Sequence, residues 1–158
     1  YFKQNLAKLY NFERLLGTGK NISHDDITIS PTKKRLFPYA HETLEYWHRK
    51  YNLYVITNVF NDVQFTKLKN SELDKNFLKV FTSEDAGVKK PNPKIFEYAL
   101  SVTNASSHES VMIGDNWEAD IMGAKNNGFD VIFCNFNGDP VSENIKTVRS
   151  LGEIKKFL

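Results

Sequence analysis

The spacing of apolar residues changes several times along the chain, and each change marks an element. Phe2, Leu6, Leu9, Phe12 and Leu16 recur at steps of three and four, which predicts an amphipathic helix over 2–16 stopped by Gly17. Residues 18–35 carry Gly19, Asn21, Ser23, Asp25, Asp26 and Pro31 and read as a polar connector, with a short helix capped at Ser23. Pro38 can open a helix whose buried face continues through Ala40, Leu44, Trp47 and Tyr51. Leu53 to Thr57 is a short apolar run rich in β-branched residues, hence a buried strand. A helix near 61–71, a strand over 79–82, a helix over 93–102, a strand over 111–114, a helix over 117–126 closed by Gly128, and a strand over 131–134 follow. A short helix from Ser150 ends the chain. This alternation predicts an α/β fold, with a parallel sheet covered by helices on both faces. Ligands of such sheets bind outside the carboxyl ends of the strands. Thr57 and Asn58, residues 83–90 and residues 115–120 are therefore where chemistry is expected.

Composition narrows the classes. The 158 residues are 41% hydrophobic and 25% charged, as in soluble globular domains. Apolar runs reach only four or five residues, far below the roughly 20 that span a bilayer, so no membrane span is expected. A net charge of +2 gives no reason to expect nucleic acid, and Lys33-Lys34-Arg35 reads as a solvated loop. The single cysteine, Cys134, excludes an internal disulfide and a four-cysteine zinc site. Its apolar neighbours suggest a buried, inert thiol, compatible with a reducing, cytoplasmic setting. Residue 1 is Tyr and the two methionines are Met112 and Met122, so the lack of a signal peptide carries no information.

Three strand ends carry candidate chemistry. Thr57 and Asn58 offer a hydroxyl and an amide to an anionic oxygen, although the same pair can cap the next helix. In Lys89-Lys90-Pro91-Asn92-Pro93 the prolines stiffen the backbone and can hold a lysine at a fixed angle toward a phosphate; a solvated lysine pair is the plainer reading. Gly114 permits a tight turn that leaves Asp115 at a strand end, and Asp120 falls in the first turn of the next helix. Two carboxylates there suit Mg²⁺, which takes one or two protein carboxylates beside waters and substrate oxygens. Acidic residues also favour a helix N-terminus without any ligand. Hydroxyl, cation and acids at successive strand ends fit a single event, the holding of a phosphoryl group.

On these residues the sequence resembles the haloacid dehalogenase-like hydrolase superfamily. Val55-Ile56-Thr57-Asn58 resembles its second motif, and Gly87 to Phe96 its third, in which the lysine directly before proline is Lys90. Val111-Met112-Ile113-Gly114-Asp115 through Asp120, with Gly123-Ala124 and Gly128, resembles its fourth. Leu36 to Ala40 is similar to the segment that returns from a mobile cap to the core. The resemblance covers residues 30–158 and is closest to small-cap phosphatases related to pyrimidine 5′-nucleotidases. It implies a Rossmann-like sheet and an aspartate nucleophile that takes the phosphoryl group, with a second aspartate two residues later as acid and base. It further implies that Mg²⁺ is bound by Asp115 with Asp120 in support or paired to Lys90, that Thr57 binds the transferred group, and that Lys90 steadies nucleophile and phosphate. The implied substrate is a small phosphorylated metabolite, a nucleotide first and a sugar phosphate second. A dehalogenase would not need the metal ligand Asp115. Oligomeric state is not legible.

The superfamily's first motif, an apolar strand followed by Asp-x-Asp, has no counterpart; Asp25-Asp26-Ile27-Thr28 has another spacing. Residues 1–30 are accordingly expected to be the remnant of a helical cap, and 31–158 a core lacking its first strand, between those ending at Thr57 and Gly114. The nucleophile is expected upstream, and the 158 residues alone are expected to be poorly soluble and inactive. The alternative is a non-catalytic relative that binds a phosphate ligand or a protein partner. A receiver domain also uses a Thr and a Lys-Pro, but its acids precede the threonine, whereas these follow the lysine.

Overall fold

A computed structural model describes residues 7–10, 38–58, 61–141 and 144–158. Six parallel strands form one sheet: β1 (Ala7–Tyr10), β2 (Asn52–Thr57), β3 (Lys79–Thr82), β4 (Ser110–Gly114), β5 (Asp130–Cys134) and β6 (Lys146–Val148). Their order is β3-β2-β1-β4-β5-β6. The order reverses at β1, so the crevice where α/β sheets take ligands opens at the carboxyl ends of β1 and β4.

Alternation along each strand builds two cores. In β2, Leu53 and Val55 join one face while Tyr54 and Ile56 join the other; Val111 and Ile113 of β4 are split from Met112 in the same way. Strands buried on both sides are apolar throughout, which is why they read as continuous runs. The first face is covered by α1 (Ala40–His48), through Ala40, Leu44 and Trp47, and by Leu68 of α2 (Asn61–Asn70). The second is covered by α4 (Pro93–Thr103), through Ile95, Phe96 and Ala99, and by Ala124 of α5 (Gly123–Lys125). The short α3 (Ser83–Ala86) follows β3 directly.

Several expectations need correction. Ala7–Tyr10 is a strand, not part of a helix over 2–16, and it pairs with β2 on one side and β4 on the other. The core therefore does not lack the strand between those ending at Thr57 and Gly114. Unpaired N–H and C=O groups on two inner edges outweigh a weak three-and-four periodicity in so short a stretch. The rest of the expected helix, Gly17, the connector over 18–35 and the remainder of the cap remnant lie outside the described residues. Helix α1 begins at Ala40 rather than Pro38, because Tyr39 is left-handed with φ 67°. Strand β6 had no signal in Lys-Thr-Val, three residues with one charge; it is an edge, and Lys146 pairs there with Asp130. The tail over Leu151–Lys156 is a 3₁₀ helix.

Among the described residues no helix is long and apolar enough to cross a membrane.

Candidate active site

Register sets the floor of the site. Thr57 aligns with Thr82, and Val55 with Tyr10, so β2 and β3 end together beside the end of β1. Thr57 is fully buried at its strand end, and Asn58 is half-buried just beyond it. Thr82 caps α3: its Oγ1 accepts from Asp85 N–H at 3.2 Å, while Asp85 Oδ2 accepts from Thr82 N–H at 3.1 Å. Ser83 Oγ donates to the Asn58 carbonyl at 3.2 Å, which ties the β3 end to the β2 end. Burial pushes the Asp85 carboxyl up, but its hydrogen bonds from Thr82 N–H and Oγ1, then Asn61, outweigh that and hold it below the usual carboxylate value.

The segment after α3 delivers Lys90. Gly87 leaves the helix with φ 68°, a conformation that favours glycine. Asn92 Oδ1 then accepts from Lys94 N–H at 3.0 Å, and Pro93 opens α4. Between these fixed points Lys89 is exposed and Lys90 is buried. Lys90 Nζ donates to Ile56 O of β2 at 2.9 Å and to Asp120 Oδ1 at 2.6 Å. Both peptide groups of Lys90 meet the Asn58 side chain, N–H to Oδ1 at 2.8 Å and C=O from Nδ2 at 3.1 Å.

Asp120 arrives from the other side of β1. After β4 the chain forms a widened π-type turn over Trp117–Met122, capped by Asn116, whose Oδ1 accepts from Ala119 N–H at 2.8 Å. Asn116 O accepts from both Asp120 and Ile121 N–H, at 3.0 and 3.2 Å, so the turn carries an extra residue. This brings Asp120 back under the strand end, where its Oδ2 accepts from Asn116 N–H at 3.1 Å and its side chain is wholly buried. The need for Gly114 differs from the expected tight turn. A Cβ there would stand 2.5 Å from Asp120 Cβ and Oδ2, so glycine is required by close approach. Gly123 makes similar room for Pro91 and Phe96.

The structure thus brings Thr57, Asn58, Lys90, Asp115 and Asp120 to one end of the sheet, around β1. Asp115 is half-buried, directly after β4. Ser83 and Asn116 also belong to the constellation; both fall in the stretches where chemistry is expected from the sequence, but neither is singled out there. Ser83 resembles any strand-end serine, and the cap signal of Asn116 was overshadowed by the acids beside it. Cys134 is buried at the end of β5; burial, then the charges of Asp115 and Asp120, push its thiol far up, consistent with an inert role. Among the described residues no three His, Cys, Asp or Glu side chains gather as a metal cluster. A sparse oxygen set of one or two carboxylates is the kind that Mg²⁺ accepts and structural zinc does not, so these residues fit magnesium.

Comparison with known proteins gives the family and the fold. The family model described as haloacid dehalogenase-like hydrolase matches residues 2–134. The glyceraldehyde 3-phosphate phosphatase of Pyrococcus abyssi is 40% identical over 86 residues, 54% of this chain and 36% of that protein. The pyrimidine 5′-nucleotidase YjjG of Escherichia coli is 37% identical over 108 residues, 66% of this chain and 48% of that protein. The crystal structure of YfnB from Bacillus subtilis bound to magnesium superposes with a TM-score of 0.78 at 27% identity, covering 84% of this chain and 60% of that one. The chain spans about half or less of the length of these two curated relatives. With its motifs on the strand ends of a matching parallel sheet, the chain belongs to the haloacid dehalogenase-like hydrolase family.

Proposed function

We propose that this chain is the core of a Mg²⁺-dependent phosphatase acting on a small phosphomonoester, a nucleoside monophosphate first and a sugar phosphate second. The observation that carries the reading is the buried Lys90–Asp120 pair, which links the segment after β3 and α3 to the turn after β4, across the end of β1, with Lys90 also bonded to Ile56 O of β2. An ammonium has three donors. Two go to Ile56 O and Asp120, and the reading gives the third to a phosphoryl oxygen. Thr57 supplies a hydroxyl to the same group. Asp115 would hold Mg²⁺, with Asp120 in support behind it. The ion, when bound, offsets negative charge on the phosphoryl oxygens. The names of the relatives, a pyrimidine 5′-nucleotidase and a glyceraldehyde 3-phosphate phosphatase, support the two substrate classes.

Turnover needs a carboxylate nucleophile, and the 158 residues contain no Asp-x-Asp pair. The reading places that pair in another segment of the whole protein and expects residues 1–158 by themselves to be inactive. A second reading, a phosphate-binding relative without turnover, is favoured by one observation: β1 already fills the place where the nucleophile strand is expected.

The test is phosphate release by the full-length protein from nucleoside monophosphates and glyceraldehyde 3-phosphate, with Mg²⁺ and with EDTA. Expected are Mg²⁺-dependent turnover, loss of most of it in Asp115→Asn, and weaker Mg²⁺ binding by that variant in calorimetry. Phosphate binding without turnover on any phosphomonoester selects the second reading. Turnover indifferent to EDTA and to Asp115→Asn refutes the metal assignment.

A further inference from the structure

We propose that Asn58 is a positioning residue that sets the location of the Lys90 ammonium through Lys90's own peptide groups, without contacting substrate. The proposal rests on the phosphatase reading and deepens it. Asn58 Oδ1 accepts from Lys90 N–H at 2.8 Å, and Asn58 Nδ2 donates to Lys90 C=O at 3.1 Å. One primary amide thus satisfies both backbone groups of a residue 32 positions away. Lys90 lies between α3 and α4, where no helix or strand supplies those partners. Buried peptide groups need partners, and the Asn58 amide takes the place of a ladder rung. Asn58 is braced in turn, since its carbonyl accepts from Ser83 Oγ at 3.2 Å. One acceptor site and one donor of the amide are committed to the two backbone groups of a single residue, which fixes the amide plane.

The consequence falls on the far end of the lysine. Nζ must reach Ile56 O and Asp120 Oδ1 together, at 2.9 and 2.6 Å. A backbone displacement of about 1 Å puts one of them out of hydrogen-bond reach, and misplacement of that size costs about 100-fold in rate. An Asn directly after the strand-end hydroxyl therefore serves the cation, and Ser83 serves the Asn.

The position of Lys90 can be read without any assay of turnover. The full-length protein is labelled with acetic anhydride and analysed by mass spectrometry, with exposed Lys89 as internal reference. Asn58→Ala is expected to raise Lys90 labelling relative to Lys89 by about tenfold, the equivalent of one to two lost hydrogen bonds. Ser83→Ala is expected to raise it less. Asn58→Asp keeps an acceptor for the Lys90 N–H but turns an oxygen toward the Lys90 carbonyl, and is expected to fall with Asn58→Ala. Should Asn58→Ala unfold, labelling of every lysine rises together and Asn58→Asp carries the measurement. Lys90 labelling unchanged in a folded Asn58 variant overturns the proposal, whether or not the protein is a phosphatase. In phosphate release, Asn58→Ala is expected to lower kcat about 100-fold with KM nearly unchanged, and to add nothing in a Lys90→Ala background. A further loss in that background means that Asn58 touches substrate directly, and the proposal fails. Raised Lys90 labelling in a protein that hydrolyses no phosphomonoester supports the clamp and refutes the phosphatase reading alone.

Discussion

Lys90 and Asp120 meet almost entirely out of water, with side-chain exposures of 2% and 0%. Removing one partner of such a pair strands the other charge in a medium that cannot solvate it, at a cost of about 3–5 kcal/mol. Lys90→Ala is therefore expected to lower unfolding free energy by about that amount in urea melts. Lys89→Ala, on an exposed neighbour, is expected to stay within about 0.5 kcal/mol. Equal effects would contradict the observed register. Gly114→Ala places a methyl 2.5 Å from Asp120 Cβ and Oδ2, both set in a buried and hydrogen-bonded side chain. Overpacking of this kind costs about 1–3 kcal/mol. It is expected to move Asp120 away from Lys90, so phosphate release should fall further than the melt alone accounts for. The choice of Lys90 over Lys89 was legible, because proline restricts only its immediate neighbour. The reason for Gly114 was not, because it depends on a carboxylate six residues on that returns only through a widened turn.

Helices and strands were legible where local pattern and tertiary demand agree. Strand β3 over Lys79–Thr82 and helix α4 from Pro93 have a clear apolar run and a clear cap respectively. The pattern also gave a helix after Asp115, but period alone cannot report that the turn takes i→i+5 bonds at Asn116. At α3 the fit of local signal and fold rests on the reciprocal cap between Thr82 and Asp85, and Asn61 of α2 joins it by donating to Asp85. The Asp85 carboxyl is held below its unfolded value, so its ionised form is favoured by folding. Its contribution is fully present above an unfolded value of about 4, and is lost as pH falls through the lower folded value. Asp85→Asn is expected to melt below the parent protein at pH 7, with the gap narrowing under acid as pH drops below about 4. A gap that is constant between pH 7 and pH 3 would mean that the charge contributes nothing.

At the scale of the whole molecule the decisive element is β1. Ala7 to Tyr10 pair in register with Asn52 to Val55 and with Ser110 to Ile113, so a single four-residue strand joins the two halves of the sheet. The expectation of poor solubility rested on two bare inner edges, and these edges are paired. The sequence could not announce this, because four residues are too few to separate periods of 2 and 3.6, and the partners stand more than 40 residues away. Proline at Leu9 removes one ladder donor in the middle of the central strand, a position where proline is not tolerated. Leaving a buried backbone partner unmatched costs about 1–3 kcal/mol, and in a domain of this size each kcal/mol lowers Tm by roughly 2–4 °C. Leu9→Pro is therefore expected to lower the melting temperature of the full-length protein by about 2–12 °C, and to open hydrogen exchange in β2 and β4 together. An unchanged melt with unchanged protection in both strands would mean that another strand holds the centre. The nucleophile strand implied by the family resemblance would then have its place beside Thr57 and Asp115, and residues 1–30 would return to the cap.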